Sequence, residues 1–202
     1  AGFLDDLAAG TPAPGGGSAA AYAGAMGAAL TAMNARLTLG KKKYAEVELQ
    51  MQAVLAETET LRAELTHAVD EDSAAFEAVM AAFKLPKDTP EQQAARAAAV
   101  EAATLQAAQV PLANARGAVR VIELAERAAA LGTQNAITDA ASGAAMGRAA
   151  LAAAGYNVRI NLASLADKTA AALLLEELRT LDLRAAEAET RLRAALEARA
   201  GI

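Results

Sequence analysis

Asp72 is the side chain whose type and position most strongly indicate chemistry. It lies within an apolar helical pattern, between Val69 and Phe76, where a carboxylate is costly unless it is paired or protonated. Such a group either is satisfied by a lysine, arginine or backbone donor or acts as a base, and the pattern leaves both open. Asp70 lies ~160° away around the same helix, so the two carboxylates cannot form a pair within one subunit.

A glycine-rich turn, Gly15-Gly16-Gly17-Ser18, leads into a helix of small residues. Backbone N–H groups at such a helix start can cradle an anionic or carbonyl group. The turn is not a phosphate-binding P-loop, since no Lys-Ser/Thr pair follows at the required spacing. The alternative is a plain entry turn with Ser18 near the N-cap.

Three of the six lysines, Lys41, Lys42 and Lys43, follow Gly40 at the end of that helix and precede Tyr44. The protein carries a formal charge of -5, so an anionic ligand must be attracted locally. The cluster could do this. Cations are also favourable at a helix C-terminus for purely structural reasons.

Polar side chains recur in the second half of the chain. Asn135 and Asp139 flank a helix start, where Asp139 could simply be an N-cap or a first-turn dipole partner. Asn157 and Asn161 are four residues apart and share a face if their segment is helical. Two amides on one face could bind a hydrogen-bonding ring such as a pterin, or could satisfy backbone groups at a helix break.

Metal and triad chemistry find little support in the composition. The chain has no cysteine and a single histidine, His67, which excludes thiolate sites and multi-histidine sites. His67 projects from the face of its helix opposite the apolar stripe, where a solvated surface imidazole is expected. No acidic cluster has a spacing suited to an all-oxygen site. We therefore expect chemistry without a metal.

The elements that position these residues are expected to be helices. By count 61 residues are alanine, and only 3% are aromatic, with few β-branched runs. We predict an all-α fold in a single domain, residues 1–202, arranged as an elongated antiparallel bundle of long helices that dimerises through helix faces.

Two helices of the first half carry clear apolar faces. One runs from about residue 17 to Gly40, with small residues such as Gly24 and Gly27 that allow a close backbone approach, and with larger residues at helical spacing: Tyr22, Met26, Leu30, Met33 and Leu37. The next runs from about Ala45 to Phe83, roughly 58 Å, whereas a compact globule of this length is about 40 Å across. Part of its apolar stripe is therefore expected to meet a partner subunit.

The second half is predicted to hold three further helices. Thr89-Pro90-Glu91-Gln92 is a capping box, and its helix should continue to about Leu131 with a kink at Pro111. A loop at residues 132–138, a small-residue helix and a break at residues 155–161 follow. Asp167 is expected to cap the last helix, whose apolar stripe covers residues 174–195.

Membrane, nucleic-acid and secretory roles are not expected. Residues 11–35 carry no charge, but they are mostly alanine and glycine and include Asn34, so they suit a bilayer poorly. The pI near 5.0 does not favour a nucleic-acid partner, and the sequence shows no secretory leader pattern. We expect a cytoplasmic protein.

Taken together, the motifs of this chain, in their order and spacing, resemble those of the cyclodeaminase/cyclohydrolase family of folate one-carbon enzymes, and the resemblance covers nearly the whole chain. In the first half the matching segments are Phe3-Leu4-Asp5, Pro14-Gly15-Gly16-Gly17-Ser18, Gly24-Ala25-Met26-Gly27 and Gly40-Lys41-Lys42-Lys43-Tyr44. Further along the chain they are Asp70-Glu71-Asp72, Leu85-Pro86-Lys87, Val110-Pro111-Leu112, Asn135, Asp139 and Asn157-Val158-Arg159-Ile160-Asn161-Leu162. Each segment is weak alone, and the ordered set is specific.

Three positions depart from the family's usual pattern. Thr133 follows Gly132 where asparagine is usual, Thr138 precedes Asp139 where serine is usual, and Asn34 stands where an apolar residue is usual. The change at Thr138 keeps the hydroxyl, whereas the change at Thr133 puts one polar contact in doubt.

The resemblance implies a homodimer that binds a tetrahydrofolate derivative as substrate in a cleft near the subunit interface. The implied reaction is hydrolysis of 5,10-methenyltetrahydrofolate to 10-formyltetrahydrofolate. The alternative is a cyclodeaminase that forms the methenyl compound from formiminotetrahydrofolate and releases ammonia. The run from Leu37 to Tyr44 is more similar to stand-alone cyclohydrolases. A reading of another class is a helical scaffold that uses the stripe of residues 174–195.

The resemblance also suggests roles. Asp72 would be the base or stabilise the cationic bridge, Asp139 would position water or the pterin, and Lys43 would complete the catalytic set. Lys41 and Lys43 would hold the glutamate tail, and the amides of Gly15, Gly16, Gly17 and Ser18 would meet the ring or a carbonyl. The remaining expected substrate contacts are Tyr44, Asp70, Lys87, Asn135, Asn157 and Asn161.

Overall fold

The computed structural model describes residues 2–202, and in this range it contains helices and no strand, which confirms the all-α prediction. The helices are α1 (Phe3–Leu7), α2 (Gly16–Thr38), α3 (Glu48–Phe83), α4 (Pro90–Leu131), α5 (Ile137–Ser164) and α6 (Lys168–Ala200). Two short 3₁₀ segments, Lys42–Val47 and Gln134–Ala136, lead into α3 and α5.

Helices α2 to α5 form an antiparallel bundle. The contacts Ser18–Asp72 and Arg36–Glu59 show that α2 and α3 are antiparallel. The contacts Phe83–Arg96 and Glu57–Arg120 show the same for α3 and α4. Helix α5 runs antiparallel to α2, since Asn157 lies beside Gly16 and Asn34 bonds to Ala136. The core between them is built largely from alanine, with Leu112, Ile122 and Leu151 among its largest buried side chains.

Small residues let α2 and α5 approach closely, as predicted. A Cβ added at Gly27 would lie 2.6 Å from the Gly143 carbonyl oxygen, a distance that no real Cβ contact tolerates. The two backbones therefore meet here because both positions lack a side chain. The alanine-rich face of α2 is buried, and its larger apolar residues point away from the bundle.

That outward face forms what we call the α2 stripe: Tyr22, Met26, Leu30, Met33 and Leu37. Four of its members are between 39% and 45% exposed, and Leu30 is half-buried. The helical spacing was predicted correctly. The small residues, rather than these large ones, supply the contact with the core.

Helix α6 packs against α4 and α5, and its predicted stripe is buried: Leu178, Leu181, Ala185, Ala188 and Leu192 all lie in the core. Ion pairs fasten its outer edge, for example Arg116 with Glu177 and Arg184 with Glu123. Because these pairs follow the same order along both helices, α6 runs parallel to α4. The stripe is therefore part of the bundle and is not a free surface for a scaffold.

Two predicted boundaries are wrong. Helix α3 begins at Glu48 and not near Ala45, because Tyr44 has a non-helical backbone (φ -117°, ψ 16°) within the 3₁₀ segment. The predicted break at residues 155–161 does not occur, and α5 is continuous to Ser164. Gly155 is buried against Leu178 of α6, so it provides room for a neighbouring helix and does not end its own.

The helix caps follow the sequence closely. Thr89 accepts a hydrogen bond from the Gln92 N–H in the predicted capping box, and Asp167 accepts from the N–H groups of Thr169 and Ala170. Pro111 lies inside α4, which is continuous through it. Among the helices of residues 2–202, none combines the length and hydropathy needed to cross a membrane.

Candidate functional site

A cleft of about 360 Å³ opens where α2 begins, between the middle of α3 and the C-terminal half of α5. Six of the predicted site residues line it, and Ser18 bonds to one of them; the lining residues are Gly15, Gly16, Gly17, Asp72, Asn157 and Asn161. These residues are far apart in sequence and meet only because α3 and α5 both pack antiparallel to α2.

Asp72 is half-buried at the edge of this cleft. Its Oδ2 accepts a 2.8 Å hydrogen bond from the Ser18 hydroxyl, which also lies 3.3 Å from the Val69 carbonyl oxygen. A Cβ at Gly17 would lie 2.0 Å from Asp72 Oδ1, so the carboxylate occupies the space that the missing side chain leaves. No lysine or arginine pairs with Asp72 among residues 2–202, and the carboxylate is held by a hydroxyl and by the start of α2.

The start of α2 lacks the usual side-chain cap. Gly15 is the N-cap residue and has no side chain that could accept a hydrogen bond from the helix N–H groups, while Ser18 donates its hydroxyl to Asp72. Within the described chain, no hydrogen-bond acceptor meets the N–H groups of Gly16 and Gly17. Unpaired N–H groups at a helix start attract a carboxylate, a phosphate or a polarised carbonyl. Ser18 thus lies near the N-cap, as the alternative predicted, but its hydroxyl binds Asp72 and does not cap the helix.

The two asparagines face the cleft from α5, as predicted for a helical segment. Asn157 Nδ2 donates to the Ala153 carbonyl oxygen at 2.9 Å, and Asn161 Nδ2 donates to the Ala107 carbonyl oxygen of α4 at 2.7 Å. The Nδ2 groups of both asparagines are thus paired with backbone carbonyl oxygens. Over residues 2–202 neither Oδ1 has a hydrogen-bond donor, so each remains available as an acceptor.

The Asn161 contact has a specific cause in α4. In a helix the N–H of residue 111 would donate to the carbonyl of residue 107, but Pro111 has no N–H. Asn161 supplies the missing donor and at the same time fastens α5 to α4 beside the cleft. The proline and the asparagine are therefore one structural unit.

An apolar wall was missed as part of the site. Phe76, Val79, Met80 and Phe83 on α3 line the cleft opposite Pro12 and Ala13. The sequence pattern placed them on the stripe of α3, where they were expected to meet the core or a partner subunit. Three of them are exposed at the surface of the single chain. The sequence did contain a signal for this wall, because the apolar stripe of α3 is longer than a compact bundle of this chain length can cover.

Five of the other predicted site residues lie towards the opposite end of α2. The Tyr44 hydroxyl oxygen accepts a 3.1 Å hydrogen bond from the Gln134 N–H, and the Lys43 ammonium lies 5.5 Å from the centre of the Tyr44 ring. Asn135 is exposed on the adjoining loop, and Asp139 is in the first turn of α5, as its alternative predicted. We call Lys41, Lys43, Tyr44, Asn135 and Asp139 the second cluster.

The environment of Tyr44 favours its ionised form. The hydrogen bond from the Gln134 N–H is the main cause that lowers the pKa of Tyr44, and the Thr133 side chain and the Lys43 charge act in the same direction. These contacts outweigh the opposing effect of burial. The phenol is thus a better proton donor than an ordinary tyrosine.

The expected catalytic set is not assembled in one chain. The rise of α2 from Ser18 to Thr38 is about 30 Å, so Lys43, which lies beyond Thr38, is remote from Asp72. Asp139 precedes Asn157 of the cleft by 18 residues of α5, a rise of about 27 Å. Asp70 is exposed on another face of α3, and Lys87 is exposed in the turn between α3 and α4, beyond the apolar wall. No three histidine, aspartate or glutamate side chains group as metal ligands among residues 2–202.

Comparisons with known proteins agree with this architecture. A sequence model described as formiminotransferase-cyclodeaminase matches residues 1–180. A methenyltetrahydrofolate cyclohydrolase from Methylorubrum extorquens is 48% identical over 179 residues, which are 89% of this chain and 86% of that protein. The formimidoyltransferase-cyclodeaminase of Mus musculus is 34% identical over 82% of this chain, and the chain spans only 31% of its length.

A solved structure carries the same fold. The formiminotetrahydrofolate cyclodeaminase from Thermotoga maritima superposes with a TM-score of 0.87 and 31% identity, over 97% of this chain and 94% of that one. Both the sequence match and the helical architecture thus extend over most of the chain, and the chain belongs to the formiminotransferase-cyclodeaminase family.

Proposed function

We propose that this protein is a folate one-carbon enzyme that hydrolyses 5,10-methenyltetrahydrofolate to 10-formyltetrahydrofolate. The observation that carries the proposal is the cleft that joins Asp72, the uncapped start of α2 and the asparagine face of α5. The similarity to the Methylorubrum protein, which is named for this activity and matches over most of both chains, supports it.

The methenyl bridge is a delocalised cation, and Asp72 is suited to meet it. A carboxylate near the bridge carbon stabilises the positive charge and can accept a proton from the attacking water. Water adds to the bridge carbon, and Asp72 takes one of its protons. The bond from that carbon to N5 then breaks, Asp72 returns the proton to N5, and the remaining hydroxyl proton leaves as the formyl group forms.

The rest of the cleft fits a pterin and its attached ring. The N–H groups of Gly16 and Gly17 can donate to a ring carbonyl, and the Oδ1 atoms of Asn157 and Asn161 can accept from ring N–H groups. The apolar wall, with Phe76 and Phe83, offers aromatic faces to the part of the substrate that lies beyond the pterin.

We further infer that the enzyme is a homodimer whose subunits pack through the α2 stripe. The stripe is apolar, exposed and centred near Leu30. A two-fold axis through that point would lay α2 antiparallel to its copy. The start of one α2, with Asp72, would then lie near the end of the other, with the second cluster.

This arrangement would complete the site from two chains. Asp72, the glycine turn and the asparagines would come from one subunit, and Lys43, Tyr44, Asn135 and Asp139 from the other. Lys41 and Lys43 would then be placed to attract the glutamate tail, and Asp139 to orient water or the pterin. We infer a cytoplasmic enzyme that needs no metal and acts as a single domain.

The second candidate activity is a cyclodeaminase, which the Thermotoga and Mus proteins are named for. Its reaction makes the same methenyl bridge and needs an acid to protonate the departing ammonia. Tyr44 or Lys43 could donate that proton, since the environment of Tyr44 lowers its pKa.

An absorbance assay distinguishes the two activities. Purified protein is offered methenyltetrahydrofolate, and separately formiminotetrahydrofolate, and the methenyl absorbance is followed. Loss faster than the uncatalysed rate supports the cyclohydrolase. Gain with release of ammonia supports the cyclodeaminase, and no change with either substrate contradicts both proposals.

A further inference from the structure

The loop of residues 132–136 presents part of the second cluster, and its only regular structure is the 3₁₀ turn Gln134–Ala136. It holds Asn135 and the Gln134 N–H that bonds to Tyr44. From the α2 side, Asn34 Nδ2 donates to the Ala136 carbonyl oxygen at 2.7 Å, and the Thr133 N–H donates to the Thr38 hydroxyl at 2.7 Å. The loop is thus tied to α2 at both of its ends.

A third attachment comes from the last turn of α6. The Arg199 guanidinium donates to the carbonyl oxygen of Gly132 at 2.7 Å and to that of Ala129. In return, the Gln134 side chain donates to the Arg199 carbonyl oxygen. The Arg199 side chain therefore pairs with carbonyl groups at the end of α4 that no helical N–H can reach. Because one of these carbonyls belongs to Gly132, Arg199 also holds the main chain of the loop.

Arg199 lies outside the part of the chain that the family match covers, which ends at residue 180. The end of α6 is nevertheless ordered by its own packing. Leu192 is buried, and Arg191 pairs with Glu126 of α4 at 3.4 Å. The packing of α6 against the bundle therefore fixes the position of Arg199 beside the loop.

We propose that Arg199 is a positioning residue that holds the loop of residues 132–136, and through it Asn135 and the Tyr44 hydroxyl, in the geometry that substrate turnover needs. This inference rests on the proposed function, because the second cluster belongs to the proposed site. Arg199 itself touches no substrate and acts through Gln134 and the loop backbone.

Three variants test the proposal. Arg199→Ala removes the contacts to both carbonyls, Arg199→Lys keeps a cation that can still donate to them, and Arg191→Ala removes an α6 ion pair away from the loop. We expect Arg199→Ala to lower kcat/KM on the order of tenfold, because small misplacement of binding groups is costly. Arg199→Lys should retain most of the activity, and Arg191→Ala all of it.

A spectroscopic signal separates positioning from a general loss of stability. In a background with Tyr22→Phe and Tyr156→Phe, Tyr44 is the only tyrosine, and phenolate absorbance reports its titration. If Arg199 holds the Gln134 N–H against Tyr44, Arg199→Ala should move that titration to higher pH, while circular dichroism and Arg191→Ala show no such change. Arg199→Lys should restore it.

Two results would overturn the proposal: wild-type kcat/KM in folded Arg199→Ala, or a loss of activity with an unmoved Tyr44 titration. The titration needs no substrate. If the wild-type protein acts on neither folate, the proposed function fails, while the contact between Arg199, the loop and Tyr44 is still tested.

Discussion

Ser18 donates a 2.8 Å hydrogen bond to the Asp72 carboxylate, and this contact joins the start of α2 to the middle of α3 across 54 positions of sequence. The bond holds the carboxylate in place beside the helix start. The N-cap residue is Gly15, which has no side chain, so the first N–H groups of the helix have no side-chain cap. The proposed base and the anion-binding end of the proposed site are therefore adjacent.

Asp72→Asn should abolish turnover while the protein remains folded. The amide keeps the size of the side chain but cannot accept the proton from water or balance the cationic bridge, so we expect a loss of about 10²-fold or more in kcat. The matched control is Glu77→Gln, which removes one charge from an exposed position of the same helix. Wild-type activity in folded Asp72→Asn would contradict the assignment.

Gly17→Ala should disturb the same carboxylate without changing any charge. The added Cβ would overlap Asp72 Oδ1, so the Asp72 side chain or the start of α2 must shift. We expect kcat to fall at least tenfold, because the base leaves its position. Gly10→Ala is the control, since a Cβ there meets nothing within 4 Å. Equal activity of both variants would show that the Asp72 position is not critical.

Asn161 and Pro111 should be coupled in stability. Asn161→Ala leaves the Ala107 carbonyl without a donor and should lower the free energy of unfolding by about 1 kcal/mol. In a Pro111→Ala background, residue 111 regains an N–H that can donate to that carbonyl, so the same change should cost less. A double-mutant cycle by urea unfolding measures the difference. Strict additivity would refute the coupling.

The inferred dimer predicts complementation between two inactive variants. If each site takes Asp72 from one subunit and Asp139 from the other, a heterodimer of Asp72→Asn and Asp139→Asn contains one intact site. An equal mixture, refolded together, should recover about a quarter of the wild-type activity. No recovery from two inactive variants would contradict a site shared between the subunits.

The α2 stripe can be tested separately by light scattering after size exclusion. Met26→Glu should dissociate the dimer and lower activity, because it would bury a charge at the inferred interface. Leu183→Glu makes the same kind of change at an exposed leucine of α6 and should leave the mass unchanged. A Met26→Glu protein that is still dimeric would show that the subunits meet elsewhere.

Acid should destabilise the protein through its ion pairs. The Arg120 hydrogen bond lowers the pKa of Glu57 below its ordinary 4.5, and the Arg116 hydrogen bond does the same for Glu177. Because the folded state holds these protons more weakly, their contribution to stability is complete above about pH 4.5 and declines as the pH falls through the folded pKa values. Glu57→Gln should flatten the pH dependence of the unfolding free energy below pH 4.5, and an unchanged pH dependence in that variant would contradict the assignment.

Several elements were predictable from the sequence because their causes are local. The capping box at Thr89, the Asp167 cap and the end of α2 near Gly40 depend on a few neighbouring residues and matched the structure. The prediction of a break at residues 155–161 was wrong because glycine and asparagine occur both at helix ends and inside helices, where they serve packing or hydrogen bonding. Here Gly155 makes room for α6, and the Asn161 amide satisfies a carbonyl on another helix.

The sequence alone determined the helical class, the main apolar faces and the family, since alanine content, helical periodicity and ordered motifs are properties of the chain itself. It also identified most residues of the proposed site. Only the tertiary structure decided which of them meet, because antiparallel packing brings Asp72 to the start of α2 and leaves Asp139 and Lys43 about 27 Å or more away, towards its other end. That separation depends on the direction in which helices pack, which residue types and spacing do not encode.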